Sequence, residues 1–177
     1  MPIIIRATER DAAALAEFAA RTFRDAFGAQ NNPRDLEQFL ATAYRREQQL
    51  AEIQDGRVDT LLAFEGADLV GFAQVREGVT PACIKADKAV ELQRIYVDRN
   101  WHGHPIAAAL MDAAKSAARA RGGTHLWLGV WERNPRAQAF YRKHGFDTVG
   151  THIFTVGTDP QTDVLMQCSL DESRPRD

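Results

Sequence analysis

The stretch RNWHGHPIAAALM, residues 99–111, sets two histidines, a glycine and a proline directly before an alanine-rich run that reads as a helix. The first turn of a helix leaves main-chain N–H groups unpaired and carries the positive end of the helix dipole, so a tight loop opening into it favours an anion such as a phosphate. The chemistry of the loop is therefore anion capture. It is not a nucleoside triphosphate loop, because Gly-x-x-x-x-Gly-Lys-Ser/Thr is absent, and Gly-x-Gly-x-x-Gly is absent too. An ordinary helix start, with Pro105 preorganised for the first turn, explains the same residues equally well.

Other groups that could do chemistry are scattered. Glu91 sits in VELQRIYV, where strict strand alternation puts Glu91, Gln93 and Ile95 on one face and Leu92, Arg94 and Tyr96 on the other. From there it could accept a proton or be a solvated strand residue. His102, His104, His125, His144 and His152 form no pair spaced for one helix face and no Cys/His cluster, so no metal site is expected and they read as exposed or capping residues. Trp101, Trp127 and Trp131 invite base stacking, but Trp127 and Trp131 lie inside an apolar strand and read as core.

The elements that must position these groups follow from pattern. Residues 3–7 are a short β-branched strand, and Thr8 then offers an N-cap to a helix through residue 27, with Leu15, Phe18, Ala19, Thr22, Phe23 and Phe27 at helical spacing. A second helix is expected from Pro33 to about Ile53, with Leu36, Phe39, Leu40, Ala43 and Tyr44 on one face. Two apolar runs around Gly66-Ala67-Asp68 make a hairpin, and AVELQRIYVD is a third strand. The loop and its helix run to about Arg121, stopped by Gly122-Gly123; strand HLWLGVW follows, then a short helix after Arg133-Asn134-Pro135 that ends at Gly145. FDTVG and DVLMQCSL close the pattern as strands. One β-α-β crossover among hairpin-joined strands predicts an α/β (α+β) domain, its mixed, mostly antiparallel central sheet flanked by helices. In such sheets ligands gather where the carboxyl end of a strand feeds a helix N-terminus, which is where HGHPIA lies.

The whole chain narrows the partners. Its 177 residues, 45% hydrophobic, suit one domain over 1–170 with a loose tail at 171–177. A formal charge of −2 with dispersed basic residues argues against nucleic acid, and no segment approaches ~18 apolar residues, so no membrane span is expected. No secretory leader is apparent, and the widely spaced Cys83 and Cys168 suit a reduced compartment, so the chain reads as cytoplasmic. The partner expected is a small molecule; a homodimer is left open.

ELQRIYVDRNWHGHPIAAALMDAA and LWLGVWERNPRAQAFYRKHGF together resemble the GNAT superfamily of acetyl-CoA-dependent N-acetyltransferases over about residues 90–149. Its pyrophosphate loop, Gln/Arg-x-x-Gly-x-Gly/Ala, falls on His102, Gly103, His104, Pro105, Ile106 and Ala107. Two positions depart: His102 replaces Gln or Arg, and Pro105 replaces Gly and removes one main-chain donor, leaving the N–H groups around Gly103, His104, Ile106, Ala107 and Ala108. The resemblance implies acetyl-CoA as co-substrate without a metal, makes Tyr141 a general acid and gives Asn134 a cofactor contact; by residue type alone Asn134 is a helix N-cap. LWLGVWERNPRAQAFYRKHGF with THIFTVGTDPQTDVLM further resembles the PaiA-like polyamine N-acetyltransferases, which implies an amine acceptor such as spermidine.

Acyl transfer from a thioester to an amine needs a neutral amine, a seat for the oxyanion and a proton for the thiolate. A main-chain N–H among Ile95, Tyr96 and Val97 can hold the thioester oxygen while that strand's edge pairs with the pantetheine arm. Tyrosine, of ordinary pKa about 10 against about 8.5 for a thiol, arrives protonated. Glu91 is the first candidate base and Glu132 the second, and with Asp25 they could face a cationic acceptor. Acetylation of another amine (a protein N-terminus, an amino acid, an aminoglycoside) and a non-catalytic acetyl-CoA-binding module are the alternatives.

Overall fold

In the computed structural model, which describes residues 1–171, the apolar patterns become seven strands and five helices, joined in places by single 3-10 turns. The strands are β1 (Ile3–Arg6), β2 (Val58–Glu65), β3 (Asp68–Arg76), β4 (Ala89–Val97), β5 (His125–Trp131), β6 (Asp147–Val156) and β7 (Asp159–Ser169). The helices are α1 (Ala12–Phe27), α2 (Pro33–Ala43), α3 (Arg46–Gln54), α4 (Ile106–Ala120) and α5 (Pro135–Lys143). One sheet runs in the order β1-β2-β3-β4-β5-β7-β6, antiparallel throughout except for the β4–β5 pair that the α4 crossover joins. The expected tail, apart from Asp171, lies outside the described residues. No described helix is long and apolar enough to cross a membrane.

Strand alternation divides the apolar residues between two cores. Leu61, Ala73, Val90 and Leu92 pack with Ile106, Leu110, Met111 and Ala114 of α4 on one face. Their neighbours Leu62 and Phe72 turn to the other face, against Leu15, Phe18 and Phe23 of α1 and Leu36 and Leu40 of α2. Gly71 sets how closely α4 lies on β3: a Cβ there would fall 2.9 Å from Leu110 Cδ1 and 3.2 Å from Ile106 Cγ2.

Two elements differ from the sequence expectation. The helix expected over Pro33–Ile53 breaks at Tyr44-Arg45, where Arg45 turns extended (φ −71°, ψ 155°). The break is stabilised from inside: Tyr44 is buried beside Phe23 and Phe39, and the fully buried Gln49 donates its side-chain amide to Ala43 O at 2.9 Å, which satisfies a helix-end carbonyl. The strand expected at 146–150 is only the first half of β6, which continues to Val156 and returns into β7 through Gly157-Thr158. The tip of that hairpin rests on α2 and the turn before it: Asp35 Oδ1 of α2 accepts bonds from Thr158 N (2.9 Å) and Thr158 Oγ1 (2.8 Å), and Asn31 Oδ1, ahead of α2, accepts from Gln161 Nε2 at 2.6 Å.

Candidate active site

The parallel ladder between β4 and β5 is short. Ala89, Val90 and Glu91 pair with His125, Leu126 and Trp127, and beyond them the strands diverge, so the β4 edge over Gln93–Val97 that faces β5 has no strand partner. On its other edge β4 pairs with β3, but Leu92 stands opposite Val75 and Arg94 opposite Gln74, leaving Gln93 as an extra residue. This bulge overturns the alternation expected from VELQRIYV. Leu92, Ile95 and Val97 share the α4 face, while Glu91, Arg94 and Tyr96 share the other, where Arg94 stacks over the Tyr44 ring at 5.0 Å and Tyr96 joins the α1 core. Asp98 N–H bonds Val70 O on β3, so by main-chain alternation Tyr96 N–H also turns to β3. Ile95 and Val97 N–H turn to the open edge.

At the carboxyl end of β4 the chain makes one 3-10 turn, Arg99–Trp101, capped by Asp98, which accepts from Asn100 N and is held by Arg21 at 2.5 Å. Gly103 then takes φ +89°, and α4 starts after Pro105. Among the described residues, the N–H groups of Gly103, Ile106, Ala107 and Ala108 have no main-chain acceptor, whereas His104 N–H is spent on Trp101 O at 3.2 Å. The cradle is thus narrower by one donor than the sequence suggested, besides the one Pro105 lacks. His102 bridges β4 to α5, its ring lying 3.2 Å from Val97 O and 3.3 Å from an Arg136 guanidinium nitrogen. The seat therefore combines unpaired amides, a helix dipole and a cation, the arrangement that suits a pyrophosphate.

Across the splay, Asn134 Oδ1 accepts from Ala137 N at 3.1 Å and caps α5, Pro135 opens its first turn, and Gly145 at φ +87° ends it, all as the residue types require. Asn134 and Tyr141 both line the cleft between the diverging strands. The Tyr141 ring packs edge-on against Phe146 at 5.8 Å, and burial pushes its hydroxyl pKa well above the ordinary value. It is a protonated donor at neutral pH.

The cleft, about 860 Å³, continues over the α1–α2 face of the sheet. Phe27, Phe39, Trp131 and Phe154 wall it, and Trp131, expected in the core, stands in that wall with its ring 6.0 Å from Phe27, whereas Trp127 is buried as expected. Glu91 is in the lining, held by Arg76 at 2.7 Å, and Asp25 lies at the rim; Glu132, just past the end of β5, is exposed and outside the lining. His152, which sequence placed on the surface or at a cap, instead faces Asp163 in the cleft, with 3.6 Å between Nε2 and Oδ2. Asp163, His152 and Arg136 are among the cleft residues that sequence reading missed. Asp163 carried a signal: it shares strand parity with the buried Leu165, so a carboxylate occupied an inward position. Among the described residues no three His, Cys, Asp or Glu side chains cluster for a metal.

Comparison with known proteins agrees with this geometry. The model of the acetyltransferase (GNAT) family matches residues 14–146. An uncharacterised N-acetyltransferase of Mycobacterium tuberculosis is 34% identical over 156 residues, 88% of this chain and 96% of its own. Another from Lactobacillus delbrueckii subsp. lactis is 29% identical over 174 residues, 94% of this chain and 96% of that one. Among solved structures, the PaiA N-acetyltransferase of Thermoplasma acidophilum, in complex with coenzyme A, superimposes with a TM-score of 0.78 over 96% of this chain and 99% of that one, at 22% identity.

Proposed function

The chain belongs to the GNAT acetyltransferase family and is an acetyl-CoA-dependent N-acetyltransferase, and from that premise we propose that its acceptor is a terminal primary amine of a small polyamine such as spermidine. The observation that carries this reading is the acceptor half of the cleft. Its aromatic wall of Phe27, Phe39, Trp131 and Phe154 is interrupted by the carboxylates of Asp163, Glu91 and Asp25. A flexible chain of methylenes with ammonium groups at intervals meets both chemistries, through apolar and cation–π contact with the rings and ion pairing with the acids. The likeness of GVWERNPRAQAFYRKHGF and GTDPQTDVLM to PaiA-like polyamine acetyltransferases supports the same acceptor.

Acetyl-CoA, when bound, supplies an acetyl thioester. The amides of Gly103, Ile106, Ala107 and Ala108, with Arg136 beside His102, would hold its pyrophosphate, and Asn134 would contact its arm. The Ile95 and Val97 N–H groups on the open β4 edge would pair with the pantetheine and polarise the thioester carbonyl. Tyr141, already protonated, would give the departing sulfur its proton.

The test is a comparison of spermidine, an alanyl peptide and an aminoglycoside by thiol release under one set of conditions. Spermidine is expected to have the highest kcat/KM, with a KM that rises with ionic strength more than that for acetyl-CoA does. A tenfold preference for either competitor, about 1.4 kcal/mol of transition-state discrimination, refutes the polyamine and leaves the acetyltransferase standing.

A further inference from the structure

We propose that Asp163, backed by His152, is the group that seats the acceptor's ammonium and removes its proton, an assignment that rests on the amine-acetylation reading above. Asp163 is 9% exposed, on the face of β7 turned to α1 and α2, and is flanked in register by Trp131 of β5 and His152 of β6. Gly129 opens the place for it: a Cβ there would fall 3.1 Å from Asp163 Oδ2 and 3.2 Å from His152 Nε2. With no side chain at 129, the carboxylate and the imidazole both border the cleft. The height is also right. Counting along the parallel register from Glu91 and Trp127, and allowing for the extra Gln93, Tyr96 of β4 comes level with Trp131, and hence with Asp163 and His152 beyond it. The open Ile95 and Val97 amides lie on either side of that level.

A buried carboxylate is costly unless well partnered. Among the described residues the only basic group within ion-pair distance of Asp163 is the His152 imidazole, and 3.6 Å is too long for a good hydrogen bond. Burial accordingly pushes the Asp163 pKa up, against the opposing pull of His152. Of the charged groups around it, those on the β3–β4 side keep to their own partners: Arg76 holds Glu91 and Glu52 holds Arg94. Arg133 and Arg136 flank the start of α5, Arg99 and His102 lie at the anion loop, and Asp25 stands at the α1 rim; α2 contributes only the uncharged Phe39 and Ala43 to the lining. Glu91 spends its carboxylate on a guanidinium and Asp25 is exposed at the rim, so Asp163 is the buried acid with capacity to spare. An incoming ammonium supplies the missing donor, and a carboxylate of raised pKa is the better proton acceptor.

The step balances as follows. The ammonium nitrogen gives one proton to an Asp163 oxygen and becomes a neutral amine; His152, its side chain 39% exposed against 12% for Asp163, passes that proton to water. As the amine nitrogen bonds the acetyl carbon and the carbon–sulfur bond breaks, the nitrogen loses a second proton to solvent and sulfur gains one from Tyr141, which solvent reprotonates. The net change is an amide, a thiol and one released proton.

The experiment follows kcat/KM for spermidine against pH in wild type, Asp163→Asn, His152→Gln and Glu91→Gln, with melting temperature and coenzyme A affinity measured alongside. Asp163→Asn is expected to lower kcat/KM about a hundredfold and to abolish the acid-side limb, without lowering the melting temperature or coenzyme A affinity. His152→Gln is expected to lower kcat by less, and Glu91→Gln to retain the acid-side limb whatever its rate. An Asp163→Asn enzyme with wild-type kcat/KM and an unchanged profile overturns the assignment, as does a limb that vanishes in Glu91→Gln alone. Calorimetry of spermidine binding to the coenzyme A-saturated protein separates the two readings: if wild type turns over no amine, amine acetylation falls, while tenfold or greater loss of spermidine binding in Asp163→Asn still supports the carboxylate as the ammonium seat. Unchanged spermidine binding, or none in wild type, refutes it.

Discussion

At the scale of single residues, the site separates groups that must hold a proton from groups that must be able to lose one. Tyr141 is isolated among rings, and burial alone raises its pKa, so across the neutral range it is a donor and never an anion. Tyr141→Phe preserves the ring packing against Phe146 and deletes the proton. Turnover should fall by roughly 10²-fold or more while coenzyme A affinity stays within about twofold, measured by steady-state thiol release and calorimetry. A near-wild-type rate across pH would mean that water protonates the sulfur. The motif around this residue, NPRAQAFYRKHGF, was legible because local geometry dictates it: cap, proline and terminal glycine all fall where a nine-residue helix needs them. Asp163 was harder to see, since its partner lies on β6 and the notch that exposes it is the absence of a side chain at Gly129, on β5.

At the scale of elements, the loop before α4 offers unpaired main-chain N–H groups, so side-chain substitutions there are expected to act by filling the cradle. Ala107 borders the cleft within the first turn of α4. Ala107→Glu puts both bulk and like charge where a pyrophosphate must sit, and is expected to weaken coenzyme A binding by at least tenfold by calorimetry. His102→Ala removes a bridge between Val97 O and Arg136 but no amide, and should cost less. Equal affinities in the two variants would argue against a main-chain cradle. Elements whose periodicity is local, such as α1, α4, α5 and the β2–β3 hairpin, could be read from the sequence. Those shaped by distant partners could not: the break between α2 and α3 depends on Tyr44 being buried beside Phe23, Phe39 and Arg94, and the β4 bulge is a matter of register with β3. A one-residue bulge swaps the faces of everything after it, which is why the alternation that placed Glu91 correctly on β4 put Ile95 on the wrong side.

At the scale of the whole molecule, one contact ties the two ends of the fold across the acceptor half of the cleft. Asp35 on α2 accepts two bonds from Thr158 at the tip of the β6–β7 hairpin, and those bonds, the main-chain one foremost, lower its pKa. For a carboxylate held below its unfolded value, the stabilisation is fully present above the unfolded pKa of about 3.9 and is lost as pH falls through the lower folded value. Asp35→Ala should therefore melt below wild type at pH 7, with the difference narrowing as pH falls below the unfolded pKa of about 3.9. A gap that does not narrow as the solution is acidified would point to packing rather than to the carboxylate. Gly157, at φ +62°, permits the approach, since a Cβ there would come within 2.5 Å of Asp35 Cα.

That clasp also says something about the order in which the molecule is made. Asp35 and Thr158 are 123 residues apart, and Asn31 and Gln161 are 130 apart, so closing these contacts costs the entropy of ordering nearly the whole intervening chain. On a ribosome, α1 and α2 emerge early and must wait for the hairpin to follow. The loop before α4, α4 itself and α5 are translated before it, whereas β5 finds β7 and the clasp finds α2 only once β7 has been made. The loop before α4 is thus synthesised before the β6–β7 hairpin that walls the other half of the cleft, and a chain that stops short of Gly157 lacks the contact that ties that wall to α2.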